Sequence, residues 1–366
     1  MTKAAELAKW GEVSTNGQVS GRRNIIINGA MKVAQRSTSV TGIGGSNGYF
    51  TVDRFHIGKG DTAGRLTMTQ TADGPSGFAN CIKLDCTTAD TSVAAGELLW
   101  LEQKIEGQDL QQFKKGTSDA EQYSVSFYVK GNANATYALA LHDTDNSRHI
   151  VKLFSVTTAW TRITMTFPAD TTGAFGDDNA HSLSVRIWLH AGSTYTSGTL
   201  QSSAWAGLTA ANRAAGITSF FDSTDRTFFL TGLQLEVGSV ATPFEHRSFG
   251  EELVLCQRYC HRINSNGSDD IPIGTGFYNA STTCRVMVTV PTTMRAASTF
   301  TTLDSGLDIL RDSSSDTSIT LDAAIDQSRH GCILNFTGAA STTAGEGVIL
   351  RLGTEAANFI EFDAEL

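Results

Sequence analysis

The sequence predicts an all-β protein, and three observations carry that prediction. Apolar and polar residues alternate with a period of two in several segments, most clearly over residues 123–130. Clusters of Gly, Asn, Asp and Ser separate these segments at short intervals. Long helical patterns are missing between them. Many short strands joined by such turns favour a β-sandwich or jelly roll.

Composition argues against two other classes of protein. No run approaches the ~18 apolar residues of a membrane span, and residues 1–10 are mixed and charged, without the apolar core of a secretory signal. The net charge is −9, whereas a surface that binds the phosphate backbone has to be basic. We therefore expect neither membrane insertion nor nucleic-acid binding.

The six cysteines are predicted to be reduced thiols that fill the core. A chain of 366 residues needs no disulfide staples, and no secretory signal is visible. Cys256 and Cys260 are four residues apart beside His261, a spacing that can hold zinc. A matching second pair of ligands is missing, so structural thiols are the favoured interpretation.

Residues 1–20 are predicted to form an arm that attaches the protein to a larger particle. Residues 3–10 can make two helical turns with Leu7 and Trp10 on one side. Such a helix is too short to be stable alone, so it has to dock on a partner. Residues 14–21 are a polar Gly/Ser linker.

Residues 24–247 are predicted to form one large jelly-roll sandwich. In the segment 123–130 the alternation directs Tyr123, Val125, Phe127 and Val129 inward. A weak helical pattern occurs only at 209–216. Further strands are predicted at residues 98–105, 137–142, 161–167, 184–190 and 228–236.

A helical hinge is predicted at residues 248–263. Ser248 and Glu251 have the spacing of a capping box. Residues 264–366 return to strand patterns and are predicted to form a smaller C-terminal β domain. The apolar positions at helical spacing are Phe249, Leu253, Cys256, Cys260 and Ile263.

Three segments together resemble tailed-bacteriophage fibre proteins. Residues 24–31, followed by 33–36 and 49–55, resemble the start of such fibres. Residues 233–248, running into 251–259, resemble their hinge, and residues 362–366 resemble their last residues. The first domain also resembles jelly-roll carbohydrate-binding modules, at residues 103–105, 123–131, 160–167 and 232–236.

The fibre resemblance implies a virion structural protein that is assembled in the host cytoplasm as a homotrimer. It implies attachment to tail or capsid proteins, for which residues 1–20 are the candidate, and non-covalent binding of a host cell-surface polysaccharide. The resemblance to carbohydrate-binding modules implies a structural Ca²⁺, with Asn28 and Glu236 as its position. Two Asp/Asn clusters, at residues 143–146 and 177–179, are rival Ca²⁺ positions that turn chemistry also explains.

Arg186, Trp188 and His190 are the leading candidates for contacting a sugar. They share one face of one predicted strand, whose other face is aliphatic. A tryptophan between two hydrogen-bonding side chains suits a sugar, because the ring stacks on C–H groups while its neighbours bind hydroxyls. The alternative is that this face packs against a neighbouring subunit or a loop, since Trp and Arg are also enriched at interfaces.

Three further aromatic residues are candidates for the same function. Trp100 and Tyr128 are predicted to point outward from their strands and to complete the surface. Trp205 lies in a loop of small residues, where an exposed aromatic can serve recognition. For Trp100 and Tyr128 the competing interpretation is an ordinary packed aromatic, and for Trp205 it is burial of the ring under its own loop.

The sequence shows no catalytic pattern, and we predict that the protein is not an enzyme. It contains no nucleophile elbow, no zinc-protease motif and no phosphate loop. No pair of carboxylates stands at a diagnostic spacing. A purely structural decoration protein is the second hypothesis, and a polysaccharide-degrading tailspike is the third.

Overall fold

The fold is all-β, as predicted, in a computed structural model that describes Lys3 and residues 22–303, 306–311, 314–316, 319–338 and 343–366. The chain divides into two compact units, Met1–Glu252 with Leu366, and Leu253–Glu365. The predicted arm, with Leu7 and Trp10, lies outside the described residues apart from Lys3. Among the described residues, no helix is both long enough and apolar enough to cross a bilayer.

The first unit is a sandwich of two antiparallel sheets. The first sheet has the strand order β1-β4-β5-β13-β7-β10, and the second has the order β12-β9-β8-β11-β6-β3-β2. The strands are β1 (Ser39–Ile43), β2 (Gly48–Tyr49), β3 (His56–Gly60), β4 (Arg65–Thr71), β5 (Cys81–Thr88), β6 (Leu98–Glu106), β7 (Tyr123–Gly131), β8 (Ala135–Asp143), β9 (Arg148–Val156), β10 (Thr161–Phe167), β11 (His181–Ala191), β12 (Ala206–Gly207) and β13 (Thr227–Val237).

The inner faces of these two sheets form one hydrophobic core. On β7, Tyr123, Val125, Phe127 and Val129 are fully buried, as their alternation predicts. Phe127 meets Phe154 of the facing sheet edge to face, with ring centroids 5.0 Å apart. Burying this apolar surface supplies the main driving force for the sandwich.

Short helical segments connect the strands of the first unit. The pattern at residues 209–216 forms only one 3₁₀ turn rather than a longer helix. The connecting segments are α1 (Ser193–Thr196) and the 3₁₀ turns Gly107–Asp109, Gln111–Phe113, Ala210–Asn212 and Phe220–Asp222.

The second unit contains two more antiparallel sheets, with the orders β14-β23-β17 and β19-β18-β22-β15-β16-β21-β20. Their buried side chains, among them Val286, Leu334 and Phe362, form a separate core. The strands are β14 (Cys260–Asn264), β15 (Ile271–Tyr278), β16 (Thr283–Thr289), β17 (Thr299–Thr302), β18 (Leu307–Arg311), β19 (Ser314–Asp316), β20 (Ile319–Ser328), β21 (Gly331–Gly338), β22 (Gly347–Leu352) and β23 (Phe359–Asp363).

The predicted hinge is a helix over only part of its length. Helix α2 (Phe249–Gln257) begins after a capping box, in which the Ser248 N–H donates to Glu251 and the Glu251 N–H donates to Ser248 Oγ. The predicted continuation of the helix to residue 263 is wrong. Residues Cys260–Asn264 form β14 instead, because they pair with β23 at the end of the chain, a partner that local periodicity cannot reveal.

All six cysteines are buried and none forms a disulfide bond, in line with the prediction. Burial raises the pKa of the thiols of Cys81, Cys86 and Cys332 to about 11. These thiols therefore remain protonated at neutral pH and serve as small apolar side chains.

Candidate functional site

The candidate sugar-binding residues of β11 lie on the outer face of the second sheet. Strand β11 lies between β8 and β6, so Trp188 stands opposite Trp100, and Arg186 stands opposite Glu102. The alternation of β11 places its aliphatic residues in the core and Arg186, Trp188 and His190 on the other face. The predicted orientation of the strand is therefore correct.

Trp188 does not offer its ring to solvent, and its assignment as an exposed sugar platform is wrong. Its exposed fraction is 0%. The chain after β11 folds back over this part of the sheet, where Tyr195, Leu200 and Ala214 belong to the same apolar cluster as Trp188. The ring centroids of Trp188 and Tyr195 are 5.4 Å apart. Trp188 therefore packs under the covering segment and supports the neighbouring ring of Trp100.

Trp100 is the half-buried aromatic ring of this face. It packs edge to face on Trp188, with centroids 5.0 Å apart, and the guanidinium carbon of Arg186 lies 4.0 Å from its ring centroid. On β3, Gly58 is paired with Trp100, and a Cβ at Gly58 would lie only 2.1 Å from the indole Nε1. The ring thus rests directly on the backbone of a neighbouring strand, in a fixed orientation.

A buried ion pair adjoins the Trp100 ring. Arg186 Nε donates to Glu102 Oε2 at 2.8 Å, and His56 Nδ1 lies 3.1 Å from the other oxygen of Glu102. Burial by itself raises the pKa of Glu102, but Arg186 and His56 outweigh it and hold the pKa far below its usual range. Glu102 is therefore ionised at neutral pH, and its oxygens hold two neighbouring donors in place.

Three more polar side chains extend this face. His142 and Lys104 are half-buried on the strands that flank β11. Arg213 lies with its guanidinium carbon 4.8 Å from the ring centroid of Trp188. Burial, together with Arg186 and Arg213, lowers the pKa of His142 to about 3, so this imidazole is neutral at pH 7. We call these residues the Trp100 surface: Trp100, His56, Glu102, Lys104, His142, Arg186 and Arg213.

His190 continues the same face but has different chemistry, so its prediction as a sugar ligand is wrong. It is fully buried. Its Nε2 lies 3.3 Å from Glu97 Oε2, and its Nδ1 lies 2.8 Å from Ser219 Oγ. Asp90 completes this buried cluster. No local pattern could reveal this cluster, since more than 90 residues separate His190 from Glu97 and from Asp90.

Tyr128 and Trp205 do not complete the Trp100 surface. Tyr128 is on β7 of the first sheet, where its ring contacts Phe78, so it faces the opposite side of the sandwich. Trp205 is 7% exposed and its Nε1–H donates to the carbonyl of Pro168. Because β12 follows directly and pairs with β9, the supposed recognition loop is drawn into the sheet.

The residues predicted to hold Ca²⁺ are satisfied by protein groups. The Asn28 side chain is hydrogen-bonded to Val33 and to the carbonyl of Asp53. Glu236 accepts hydrogen bonds from the N–H and the hydroxyl of Thr242. Among the described residues, no contact joins Asn28 to Glu236. A Ca²⁺ ion at this position stays a prediction.

The rival Asp/Asn clusters have structural functions in this fold. Asp143 is fully buried and pairs with Lys115 Nζ at 2.7 Å. Asp178 accepts a hydrogen bond from the N–H of Ala180 within its own turn. The clusters are therefore an ion pair and a turn, as turn chemistry allows.

Sequence reasoning missed the contribution of β3 to the site. His56 and Gly58 flank the fully buried Ile57, so their alternation places both of them on the outer face. The sequence alone shows this alternation. What it could not show was that β3 pairs with β6 and brings Gly58 beneath Trp100.

Comparisons with known proteins add little to this geometry. No family model and no curated protein matches the sequence. The enzymatically active domain of bacteriophage CBA120 tailspike protein 4 is similar over 60% of this chain and 22% of that chain, at 12% identity and a TM-score of 0.31. A family 11 carbohydrate-binding module from Clostridium thermocellum is similar over 56% of this chain and 99% of the module, at 11% identity and a TM-score of 0.27.

A structure described as CBM4 is similar over 57% of this chain and 97% of that chain, at 11% identity and a TM-score of 0.31. These identities and TM-scores are too low to support an argument about function. The function therefore has to be argued from the Trp100 surface itself.

Proposed function

We propose that the protein binds a host-surface glycan without covalent chemistry, as a receptor-binding fibre of a tailed bacteriophage. The observation that carries the proposal is the half-buried Trp100 ring, fixed between Trp188, Arg186 and Gly58 and flanked by polar side chains. An aromatic ring held in one orientation can stack on the C–H face of a sugar with little loss of entropy.

The charges of the Trp100 surface favour an acidic sugar. Arg186 and Arg213 contribute two positive charges and Glu102 contributes one negative charge, whereas Lys104 Nζ already donates to the main-chain oxygen of Leu366 at 2.5 Å. Burial lowers the pKa of Arg213 only to about 10, so it stays protonated at pH 7. This local excess of positive charge stands out in a chain whose net charge is −9. A uronic acid or another anionic sugar of a bacterial capsule is therefore the proposed ligand class.

Presentation in several copies would give such a surface useful affinity. A shallow site buries little area, and the cost of desolvating hydroxyls offsets much of the stacking energy. Three sites in a homotrimer, and several fibres on one particle, would raise the effective affinity by orders of magnitude. We propose that residues 1–20 attach the fibre to tail or capsid proteins.

We propose that the surface binds the glycan and does not cleave it. Glycoside hydrolysis needs a carboxylic acid whose pKa is raised, so that it can protonate the leaving group. At the Trp100 surface the shift of Glu102 has the opposite direction. This is the reason for preferring an adhesin over a polysaccharide-degrading tailspike.

Binding of the purified chain to host cells and to their capsular polysaccharide tests the proposal. We expect the wild-type protein to block phage adsorption. Trp100→Ala should weaken polysaccharide binding by about tenfold or more, because stacking of a sugar on the ring and the contacts of the adjacent polar side chains together contribute ~1.5 kcal/mol or more. Trp160→Ala is the matched control, because Trp160 is half-buried beside Phe229 of the first sheet. It should bind like wild type.

Three outcomes would contradict parts of the proposal. Unchanged binding by a folded Trp100→Ala protein would exclude the Trp100 surface. A wild-type protein that neither binds polysaccharide nor blocks adsorption would favour the structural decoration hypothesis. Release of reducing ends from the capsule would establish an enzyme.

A further inference from the structure

Three buried side chains with metal-binding atoms converge at one end of β11. Asp90 follows β5, Glu97 immediately precedes β6, and His190 belongs to β11. One ligand atom from each lies within 4.8 Å of the others, and their exposed fractions are 6%, 6% and 0%. Within the part of the chain that the structure describes, this is the one group of three such residues that could share an ion.

The negative charge of this cluster is poorly balanced by protein groups. Asp90 Oδ2 accepts hydrogen bonds from Thr62 Oγ1 at 2.9 Å and from the N–H of Ala63 at 2.8 Å. The side chain of Glu97 contacts His190. Among the described residues, no lysine or arginine forms an ion pair with either carboxylate. Neutral donors stabilise the Asp90 carboxylate, whereas the described residues offer Glu97 only His190, so a bound cation would stabilise the cluster further.

The imidazole is arranged as a ligand rather than as a counter-charge. Its Nε2 faces Glu97, while its Nδ1 is within hydrogen-bond distance of Ser219 Oγ. Metal-binding histidines usually use one nitrogen as the ligand and bind a fixed polar group through the other.

We propose that Asp90, Glu97 and His190 bind one divalent transition-metal ion, with Zn²⁺ as the preferred ion. Zn²⁺ accepts imidazole nitrogen and carboxylate oxygen in the same site, and three protein ligands leave one position for water. Ca²⁺ is disfavoured, because it selects sites made of oxygen ligands. The inference is independent of the proposed glycan binding.

The proposed ion would have a structural function. Residues 89–97 connect β5 of the first sheet to β6 of the second, so an ion held by Asp90, Glu97 and His190 would tie this crossing segment to β11. The Phe221 ring packs edge to face on His190, with centroids 5.3 Å apart, and keeps the site apolar on that side. Strands β6 and β11 also carry Trp100 and Arg186.

Metal titration of the full chain tests the inference. The chain is first dialysed against a chelator and then titrated with Zn²⁺. We expect one Zn²⁺ to bind per chain, as measured by mass spectrometry and calorimetry. We expect Tm to rise by about 5 °C at a Zn²⁺ concentration 100-fold above Kd. Any effect of Ca²⁺ on Tm should be the same for the wild-type protein and for Glu97→Gln. Glu97→Gln keeps the shape of the side chain and removes one charge. It should weaken Zn²⁺ binding by about tenfold or more, and in chelator it should melt at or above the wild-type temperature.

A second variant, at a histidine outside the cluster, distinguishes this site from other zinc ligands in the chain. His261→Gln alters the histidine next to Cys260, and it should keep the full Zn²⁺ response. A loss of the response in His261→Gln with retention in Glu97→Gln would place the metal elsewhere. A wild-type Tm that ignores both Zn²⁺ and chelator, with a lower Tm for Glu97→Gln in chelator, would show an ordinary His–Glu ion pair.

Discussion

Two buried groups of charged side chains in the first unit contain two carboxylates each, but they differ in their positive charge. At the first group, Lys115 Nζ lies 2.7 Å from Asp143 and 3.2 Å from Asp170, and Arg148 also binds Asp170. At the second group, Asp90 and Glu97 meet only His190 and neutral donors in the part of the chain that the structure describes.

The comparison shows how a metal site can be distinguished from an internal ion pair. The Lys115 group is neutral overall, and Lys115 also donates to the carbonyls of Thr172 and Gly173, so it needs no further partner. The His190 group has the same number of carboxylates and no permanent cation. A count of charges therefore separates the two groups more clearly than their degree of burial does, since both are buried.

The largest effect is expected when the balanced group is broken. Lys115→Met should lower the free energy of unfolding by about 3–5 kcal/mol, because it leaves Asp143 buried without its cation. Urea unfolding at pH 7.5 measures this loss, and added Zn²⁺ should not reverse it. Lys114→Met is the matched control, since Lys114 is 53% exposed and pairs only with Glu121. A loss below about 1 kcal/mol for Lys115→Met would contradict the argument.

A buried histidine that lacks carboxylate partners sharpens the comparison with His190. His149 is 1% exposed, and neither of its ring nitrogens has a hydrogen-bond partner among the described residues. Burial, with a contribution from Arg213, lowers its pKa from 6.5 to about 4. Between pH 6.5 and 5 the unfolded chain takes up a proton at His149 that the folded chain does not, so acid should destabilise the fold.

Because of His149, the free energy of unfolding should fall by about 2 kcal/mol between pH 6.5 and pH 5. His142 and His181, whose pKa values burial also lowers, should add to the acid sensitivity. Urea unfolding at pH 7.5 and pH 5.0 checks the sign. His149→Leu should show a smaller loss in acid, whereas the exposed His330→Gln should behave like wild type. An equal loss in His149→Leu would exclude His149 as a source.

The smallest effect is expected at the edge of the balanced group. Arg148 binds both oxygens of Asp170 and is 18% exposed, but Lys115 remains beside Asp170 when Arg148 is removed. Arg148→Gln should therefore cost about 1 kcal/mol in the free energy of unfolding. A loss as large as that of Lys115→Met in the same urea experiment would mean that Arg148, and not Lys115, neutralises the group.

The sequence predicts the strands well because alternation is a local property. The segments around Tyr123 and Thr161 form strands where alternation predicts them, and the residues of β7 that were predicted to point inward are buried. Helix α2 shows the limit of local patterns, because Cys260 fits the helical spacing but pairs with the last strand of the chain. Long-range pairing overrides local periodicity where the two conflict.

The candidate site shows the same limit. Alternation correctly assigns Trp188 to the outer face of β11, but it cannot show that residues near Tyr195 cover that face. Trp100, predicted as a secondary candidate, is the ring that remains half-buried. The cluster of Asp90, Glu97 and His190 was invisible, because distant segments of the chain supply its members.

Gly58 lies directly behind the Trp100 ring, and its lack of a side chain lets the ring rest on β3. Any larger residue there would collide with the Trp100 indole and tilt or lift it. Under the proposed glycan-binding function, a substitution on β3, behind the ring, would change ligand preference while every residue that touches the sugar stays the same.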